Sequence, residues 1–401
     1  MKRPLRVLLF STLFPSATRP THGVFVETRL RELRKLGDIE VQVVAPVPWF
    51  PSRHPRFGEW AQMAATPEIE EREGLKVWHP RYFLPPRVGM RVAPLTLALG
   101  ARATVARLRR EGFDFDLIDA HYYYPDGVAA ALLSRWFGRP FVVTARGTDL
   151  NLIPQYALPR RLIRWAADQA QASIGVCAAL AESLRELGVA PERLHVMRNG
   201  VDLQRFTPLP REESRAKLGL PESGTLLVSV GHLIERKGHH LAIEALAKLP
   251  QARLAIVGEG PERGRLEALA CGLGVEERVR FAGSRPNTEL ALWYSAADVS
   301  ILASSREGWA NVLLESMACG TPVVASNIWG TPEVVREAVA GELFAPREAS
   351  ALLAALRTLL DRRPPREAVR RYAEGFSWEE TSRAQRALFE RIVLTPERAR
   401  A

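Results

Sequence analysis

A glycine-bounded loop with two adjacent cations is the clearest chemical feature of this 401-residue sequence. It spans Gly231 to Gly238, follows the apolar run Leu226–Val230 and carries Arg236 and Lys237. A helix directly after the loop would present free N–H groups and a positive dipole end. Arg binds phosphate oxygens through paired donors, and Lys adds a point charge. The cations alone would fit a solvated basic loop, but their placement between a strand and a helix favours a diphosphate site.

Two glutamates follow another apolar run. Glu307 and Glu315 come after Val299–Leu302. The pattern predicts a helix from about Asn311 to Cys319, because Gly320 then stops it. Glu307 would then lie in the preceding loop, and Glu315 on the helix face shared with Asn311. Carboxylates so arranged can accept hydrogen bonds from two separate sets of hydroxyl groups, although a pair with this spacing is by itself uninformative.

Short apolar runs alternate with helical patterns along most of the chain. The predicted strands are Val7–Phe10, Val41–Ala45, Leu117–Ala120, Phe141–Ala145, Ser173–Val176, His195–Met197, Leu226–Val230, Leu254–Val257, Val279–Ala282, Val299–Leu302 and Pro322–Ala325. Runs that are apolar throughout indicate strands covered on both faces, and intervening helices indicate parallel βαβ units. The sequence therefore predicts an α/β fold with two Rossmann-like, doubly wound domains. Ligands bind at the carboxyl ends of such strands, so we expect a cleft between two facing domains.

The predicted domain boundary is the turn sequence Asn199-Gly200-Val201-Asp202, which prolines follow. Residues 1–200 would form the N-terminal Rossmann-like domain and residues 201–376 the C-terminal one. Residues 377–401 would form a helix that packs back on the N-terminal domain. Ser377 and Glu380 give this helix a capping box, and the residues that give it an apolar side are Trp378, Leu388, Phe389 and Ile392.

Composition describes an ordinary globular protein with an uneven charge. The sequence is 47% hydrophobic and 25% charged, with a net charge of +10, and residues 1–200 hold 28 Lys and Arg against 19 Asp and Glu. An Arg-rich proteome would explain this, and so would an anionic partner; a membrane surface or lipid phosphate fits better than nucleic acid, for which no module is recognised. The three cysteines form no CxxC pair, which argues against a disulfide framework or a zinc site and suits the cytoplasm.

The chain has no apolar run of transmembrane length, so we expect no membrane-spanning helix. The segment Val7–Phe14 after Lys2 and Arg3 is similar to a short signal peptide. We favour a first buried strand, because a helical pattern follows at once.

Three further patterns have more than one interpretation. His121 follows a predicted strand and is either structural or a ligand contact. Gly258, Gly260 and Gly264 come close to a dinucleotide fingerprint, but their spacing is GxGxxxG. The sequence Asp114-Phe115-Asp116 could bind a metal, although a turn cap before the next strand is the simpler role.

Together these motifs resemble glycosyltransferase family 4, whose members have the two-domain GT-B fold. The resemblance rests on Gly231…Arg236-Lys237-Gly238, Gly258-Glu259-Gly260-Pro261, Val279 to Gly283, Glu307 to Glu315 with the tail Met317 to Val324, and Asn199 to Asp202. In the first half it rests on Phe14-Pro15, His22-Gly23, His121…Gly127 and Arg146-Gly147-Thr148-Asp149. The combination is highly specific, whereas no single motif is.

The resemblance implies a role for each matched residue. Arg236 and Lys237 would bind the donor diphosphate and act with Glu307 in catalysis. Glu307 would hold hydroxyls of the transferred sugar, and Glu315 the ribose. The other donor-binding residues would be Gly23, Gly231, Gly258, Phe281, Gly308, Trp309, Ala310 and Asn311. The N-terminal domain, residues 1–200, would be the acceptor domain and residues 201–376 the donor-binding domain. Candidate residues on the acceptor side are His121, which would contact sugar or acceptor, Arg146 and Asp149.

The resemblance also implies a retaining enzyme that needs no metal or other cofactor. The sequence departs from the family pattern at His232, where Arg is frequent, and at Arg146, where His is frequent. The second departure suggests a more anionic acceptor. We expect transfer of a sugar from a nucleotide-diphosphate sugar to a glycan or lipid-linked acceptor, in cell-surface polysaccharide or glycolipid synthesis. We expect a cytoplasmic enzyme without a nucleic acid partner. Peripheral binding to the inner face of the membrane is an open alternative.

Two other functions remain open from the sequence. A noncatalytic sugar-nucleotide-binding protein is one, but intact Arg236, Lys237, Glu307 and Glu315 argue against a degenerate site. An epimerase or phosphorylase of the same fold is the other, although a phosphorylase would require a cofactor lysine signature that is not recognised here.

Overall fold

The computed structural model describes residues 3–394. Lys2, and the stretch 395–401 of the predicted C-terminal helix, lie outside the described residues. The strands are β1 (Leu5–Phe10), β2 (Ile39–Val44), β3 (Val47–Pro48), β4 (Ile69–Arg72), β5 (Leu75–Trp78), β6 (Arg81–Tyr82), β7 (Leu117–His121), β8 (Phe141–Ala145), β9 (Ala172–Gly175), β10 (Leu194–Val196), β11 (Thr225–Val230), β12 (Ala252–Val257), β13 (Val279–Gly283), β14 (Val299–Leu302), β15 (Val323–Ser326) and β16 (Gly341–Phe344).

Helices alternate with most of these strands. They are α1 (Val24–Arg34), α2 (Glu59–Ala65), α3 (Gly89–Arg110), α4 (Val128–Phe137), α5 (Thr148–Asn151), α6 (Ala157–Gln169), α7 (Ala178–Glu186), α8 (Arg211–Leu218), α9 (His239–Leu246), α10 (Arg263–Gly272), α11 (Leu290–Ala296), α12 (Asn311–Ala318), α13 (Thr331–Val334), α14 (Ala349–Arg362), α15 (Arg366–Glu374) and α16 (Trp378–Leu394). Within the described part of the chain, no helix is both long and apolar enough to cross a membrane.

The chain divides into two compact units. The first consists of the chain up to Arg198 together with the segment from Glu379 onwards, and the second spans Asn199–Trp378. The C-terminal helix α16 thus lies almost wholly in the first unit. Its Leu388 and Phe389 pack into the core that Val7 and Leu117 form beneath β1 and β7.

The first unit has one main sheet in the order β10-β9-β8-β7-β1-β2-β5-β4. All neighbouring strands are parallel except β4 and β5, which form an antiparallel pair at one edge. The strand order reverses direction between β1 and β7. Side chains after the carboxyl ends of these two strands therefore converge on the position where ligands bind in open α/β sheets.

The second unit has a six-stranded sheet in the order β13-β12-β11-β14-β15-β16. Every pair in it is parallel. The buried strand β11 pairs with β12 on one side and with β14 on the other, so the order reverses between β11 and β14. The loop with the two cations follows β11 and the loop with Glu307 follows β14, which brings the two predicted motifs to one edge of one sheet.

Candidate active site

The two loops at the switch point of the second unit form an ionic cluster of Arg236, Lys237 and Glu307. Lys237 Nζ donates to Glu307 Oε1 at 2.6 Å, and Arg236 Nη1 lies 3.5 Å from the same oxygen. Ser304 Oγ adds a third donor to Glu307 Oε1 at 2.7 Å. Arg236 also donates to the backbone oxygen of Arg306 at 2.7 Å. The structure therefore brings together the three residues that the sequence predicted as catalytic.

The charges around Glu307 determine its ionisation. Burial alone would raise the pKa of the carboxyl group, since its side chain is only 11% exposed. The charges of Lys237 and Arg236 and the hydrogen bonds from Lys237 and Ser304 outweigh burial, so the pKa lies below its ordinary value. Glu307 is thus an anion at neutral pH, and its second carboxylate oxygen remains available to hydroxyl donors.

Glycines allow the backbone of this region to pack closely. A Cβ on Gly238, which has a φ of +71°, would lie 2.0 Å from the oxygen of Ala303 in the neighbouring loop. A Cβ on Gly258 would lie 1.9 Å from the oxygen of Gly231. The near-fingerprint at Gly258 and Gly260 therefore has a local explanation, because it lets the loop after β12 contact the cation-bearing loop.

Arg347 and His239 support the cation-bearing loop, and the sequence analysis missed both. Arg347 donates from Nε to the oxygen of Ala303 at 2.8 Å and from Nη2 to the oxygen of Glu235 at 3.1 Å, which joins the two loops. His239 is buried, and its Nδ1 lies 2.9 Å from Ser229 Oγ. Burial lowers the pKa of His239 to about 4, so the imidazole is neutral. The only sequence signal for His239 was its position at the start of the helix after the loop.

Glu315 lies in a different environment from Glu307. It is on α12, and its Oε2 accepts a hydrogen bond from the hydroxyl of Tyr294 at 3.1 Å. Burial raises the pKa of Glu315 to about 7, although the bond from Tyr294 and the charge of Arg205 oppose the shift. The pKa values of the two carboxyl groups are therefore shifted in opposite directions, because close cations outweigh burial at Glu307 but burial dominates at Glu315.

The remaining predicted donor contacts lie around these groups. Among the described residues, the backbone N–H groups of Gly308, Trp309 and Ala310 donate no hydrogen bond, so they remain available. The Trp309 ring itself packs against Phe376 with centroids 6.3 Å apart. Asn311 begins α12, and its Oδ1 accepts a hydrogen bond from Asn199 Nδ2 at 3.2 Å.

Gly258 and Phe281, two of the predicted donor-binding residues, belong to neighbouring parts of the sheet edge. Gly258 N donates to the oxygen of Gly283 at 2.9 Å, at the end of the strand that carries Phe281. Phe281 is partly buried. The guanidinium carbon of Arg263 lies over the Phe281 ring, 5.6 Å from the ring centroid.

In the first unit, the loop after β1 is closely packed around Gly23. This glycine has a φ of +71°, and a Cβ on it would lie 2.3 Å from the backbone carbon of Leu13. Gly23 is thus required by the chain's own packing, whatever ligand approaches it. Thr12 anchors the loop start, because its hydroxyl donates to Asp126 Oδ2 at 2.9 Å and its N–H donates to the other carboxylate oxygen. Burial raises the pKa of Asp126 to about 7.

His121 and Arg146 meet after the carboxyl ends of β7 and β8. His121 Nε2 lies 3.2 Å from Asp119 Oδ2, and its Nδ1 accepts from Arg146 Nη2. Burial lowers the pKa of His121 to about 4. The ring is therefore neutral, with the proton on Nε2, and both of its nitrogens already have partners. Burial also lowers the pKa of Arg146, whose guanidinium lies 5.4 Å from the centroid of Phe25.

Asp149 is fully buried, and backbone N–H groups of two segments satisfy its carboxylate. Its carboxylate accepts hydrogen bonds from the N–H groups of Tyr123 at 2.9 Å, Arg146 at 3.0 Å and Gly147 at 2.7 Å. Burial raises the pKa of this carboxyl group, and the three donors oppose the shift. These bonds fix the turn that presents Arg146, so the structure gives Asp149 a positioning role.

The two aspartates of the DxD pattern are involved in ion pairs. Asp114 pairs with Arg109 at 2.9 Å and with Arg139 at 2.6 Å. Asp116 pairs with Arg3 at 2.5 Å and accepts from the N–H of Arg6 at 2.9 Å. Both carboxylates thus have cationic or backbone partners of their own.

Both units match family models. Residues 22–205 match Glycosyltransferase Family 4, and residues 210–376 match Glycosyl transferases group 1. The chain is 30% identical over 332 residues to TuaC of Bacillus subtilis, which is assigned as a teichuronic acid biosynthesis glycosyltransferase; the match covers 81% of this chain and 82% of that protein. It is 31% identical over 376 residues to D-inositol 3-phosphate glycosyltransferase 1 of Catenulispora acidiphila, covering 86% and 88% respectively.

Solved structures have the same fold. A sucrose-phosphate synthase from Thermosynechococcus elongatus superposes with a TM-score of 0.81 at 23% identity, over 98% of this chain and 100% of that one. HepE of Anabaena, solved with UDP-glucose, superposes with a TM-score of 0.71 at 21% identity, over 96% and 99%. The predicted pair of parallel-sheet α/β domains of the GT-B class is confirmed. This chain is a glycosyltransferase and belongs to glycosyltransferase family 4.

Proposed function

We propose that this enzyme transfers a sugar from a nucleotide-diphosphate sugar to a glycan or lipid-linked acceptor, with retention of anomeric configuration and without a metal. The observation that carries the proposal is the cluster of Arg236, Lys237 and Glu307 at the switch point of the second unit. Arg236 and Lys237 supply positive charge for a diphosphate. Glu307, held between them and Ser304, supplies an acceptor for sugar hydroxyls.

Support for a nucleotide-sugar donor comes from two directions. The fold neighbour HepE was solved with UDP-glucose. In this chain, Glu315 has a carboxylate oxygen that a ribose hydroxyl could reach by replacing or joining the Tyr294 hydroxyl. A ribose would supply the donors that this carboxyl group lacks, which would favour its ionised form.

The proposed chemistry follows from where charge develops. The bond from the anomeric carbon to the diphosphate breaks, a bond from the acceptor oxygen forms, and the acceptor proton passes to the departing phosphate on the same face. Arg236 and Lys237 would stabilise the diphosphate as it gains charge. The first-unit carboxylates Asp126 and Asp149 are buried, and each already accepts several hydrogen bonds from the protein, which supports a mechanism in which neither is an in-line base.

An anionic acceptor is supported by charge and by one relative. The first half of the chain carries 28 Lys and Arg against 19 Asp and Glu. The relative from Catenulispora acidiphila takes its name from a phosphorylated acceptor. Arg146, beside His121, fits a phosphorylated acceptor better than the His that is frequent at this position in the family, because Arg carries a positive charge.

Peripheral attachment of this cytoplasmic enzyme to an anionic membrane is part of the proposal. The candidate cations are Arg87, Arg91, Arg102, Arg107, Arg109 and Arg110. Arg87 and Arg91 are exposed, whereas Arg107 and Arg109 share their charge with Glu111 and Asp114. The first two are therefore the stronger candidates for phospholipid headgroups.

The proposal is tested with purified enzyme, a panel of nucleotide sugars and candidate acceptors. Release of nucleoside diphosphate that depends on the acceptor separates a transferase from a noncatalytic binding protein or an epimerase. Proton NMR of the first product, before mutarotation, identifies the anomer. A product of inverted configuration would refute the same-face mechanism.

A further inference from the structure

An open apolar pocket of the first unit is not used by the proposed mechanism. It has a volume of about 580 Å³, and its principal lining residues are Trp49, Phe50, Trp60, Phe83, Met90 and Arg87. Phe83 is 59% exposed, Trp49 52% and Met90 48%. Large side chains of this type are seldom left in water together, and contiguous exposed apolar surface marks a binding site.

The pocket walls are held in place by aromatic packing. Phe50 contacts Phe57 with ring centroids 5.2 Å apart and Trp60 with centroids 5.5 Å apart. These three rings support each other and hold one wall of the pocket in place. A preformed apolar pocket of this volume suits a flexible hydrocarbon chain.

Helix α3 exposes further apolar side chains beyond the pocket. Leu95 and Leu99, four residues apart on this helix, are 52% and 50% exposed. Arg91 lies one turn before Leu95 on the same face, whereas Met90 lies on a different face. The two leucines therefore add exposed apolar surface on the helix that carries Met90 at its start.

The charge around the pocket is positive. Residues 74–110 contain eight Lys and Arg and no Asp or Glu. Arg87 lies in the pocket wall itself, and among the described residues it forms no ion pair. Glu59, at the start of α2, is the acidic residue closest in sequence to the aromatic wall. An apolar pocket with a cation in its wall complements a lipid whose headgroup is an anion.

A second cavity lies next to this pocket and reaches the loop after β1. Its volume is about 240 Å³, and Leu84 lines both cavities. The smaller cavity is lined by Thr12, Arg19 and His22, which belong to the loop at the first unit's switch point. A molecule bound in the apolar pocket would therefore lie close to that loop, which favours an acceptor over a bulk membrane lipid.

We propose that the pocket of Trp49, Phe50, Trp60, Phe83 and Met90 binds the hydrocarbon chain of a lipid-phosphate acceptor, whose phosphate contacts Arg87. The inference rests on the proposed transfer function and narrows its acceptor to the lipid-linked class. The binding step itself does not require a donor or turnover, so it can be measured separately.

The test uses the full chain and decyl phosphate below its micelle concentration, measured by isothermal titration calorimetry. Decyl maltoside, which has the same chain without the charge, and inorganic phosphate, which has the charge without the chain, are the comparison ligands. Decyl phosphate should bind at least about tenfold more tightly than either, because only it uses both parts of the site.

Two variants test the apolar part and the charged part of the site separately. Phe83→Ser with Met90→Ser should weaken decyl phosphate and decyl maltoside alike, by about tenfold, because it removes apolar contact area. Arg87→Gly should weaken decyl phosphate only; glycine suits this position because Arg87 has a φ of +64°. All three side chains are exposed, so the fold should persist, and Leu273→Ser, at a residue 41% exposed in the second unit, is the matched control.

Unchanged decyl phosphate affinity in the double variant would overturn the proposal. Binding only to anionic vesicles, with none to decyl phosphate, would also overturn it, because the surface would then be a membrane dock without an acceptor site. A melting shift with nucleoside diphosphates reports separately on the second unit. If that shift persists while decyl phosphate fails to bind, the inference falls and the proposed donor chemistry stands.

Discussion

Replacing Glu307 by Gln isolates the charge of one carboxylate in the candidate active site. Glu307 Oε1 accepts from Lys237 Nζ at 2.6 Å and from Ser304 Oγ at 2.7 Å. The amide oxygen of Gln can still accept one such bond. The variant therefore keeps the shape of the side chain and loses the charge that balances Lys237 and Arg236.

The expected loss of stability follows from exposure and hydrogen bonding. A hydrogen bond to a charged group contributes about 1.5–3 kcal/mol, against about 1 kcal/mol for a neutral one. Lys237 and Arg236 are 16% and 26% exposed, so water compensates them in part. We expect the free energy of unfolding to fall by about 1–3 kcal/mol at pH 7.

The pH dependence has a definite sign. The pKa of Glu307 is lowered in the folded state, so its stabilising effect is complete above the unfolded pKa of about 4.3 and is lost as pH falls through the folded pKa. The difference in melting temperature between wild type and Glu307→Gln should therefore shrink below about pH 4.

The functional effect should be larger than the effect on stability. If Glu307 orients the reacting sugar, a small misplacement lowers kcat by about 10²-fold at saturating donor. The assay is acceptor-dependent release of nucleoside diphosphate, with a thermal melt of the same sample. Glu235→Gln is the control, because Glu235 is 61% exposed and its pair with Arg347 spans 3.4 Å. Wild-type kcat in Glu307→Gln would refute the orienting role, and a raised KM with unchanged kcat would mean uniform binding of donor instead.

The other predictions use the same preparations. Glu315→Gln should mainly raise the donor KM, because Glu315 would hold a part of the donor that does not react. Burial raises the carboxyl pKa of Glu315 to about 7, so ionisation of this group destabilises the fold as pH rises from about 4.5 to 7. The Glu315→Gln protein should therefore melt at a higher temperature than wild type at pH 8 and at a similar temperature at pH 4.5. The reverse order would contradict the assigned burial. EDTA should leave turnover unchanged, and loss of activity that magnesium or manganese restores would refute metal independence. The enzyme should bind anionic vesicles more tightly than neutral vesicles, and added salt should weaken this binding. Equal binding to both kinds of vesicle would mean that the positive charge of the first half does not serve membrane attachment.

The central strands were predictable because they are apolar on both faces. Phe141–Ala145 and Val299–Leu302 were predicted with the bounds that the structure has. Of the four edge strands of the two main sheets, β10 and β13 were predicted, whereas β4 and β16 were missed. Residues Ile69–Arg72 include three charged side chains and form an antiparallel edge, where one-sided exposure removes the continuous apolar signal. Continuous apolar runs in the sequence thus indicate buried strands, whereas a strand such as β4 that is exposed on one side lacks such a run.

The ionic cluster of the second unit was predictable from topology and local chemistry together. Two loops that follow β11 and β14 must meet at a switch point, so Arg236, Lys237 and Glu307 converge once the strands are known. Arg347 could not be found in this way. It joins the same two loops from a position 44 residues beyond Ala303, and a lone Arg after a strand has many possible partners.

The buried polar network of the first unit marks the limit of reasoning from one sequence. Arg29 on α1 donates from Nε to Gln385 Oε1 on α16 at 2.7 Å, and Gln385 Nε2 donates to Asp119 Oδ2 at 3.1 Å. The same Asp119 oxygen lies 3.2 Å from His121 Nε2. Periodicity predicted that α16 has an apolar side, but Gln385 interrupts that side with a polar group. The structure explains Gln385, because Arg29 and Asp119 are buried beside it and a buried charge needs a hydrogen-bond partner. These partners are hundreds of residues away in the sequence, so the sequence alone does not reveal the pairing. The C-terminal helix is therefore tied to the strand end that presents His121 by a specific pairing as well as by apolar packing.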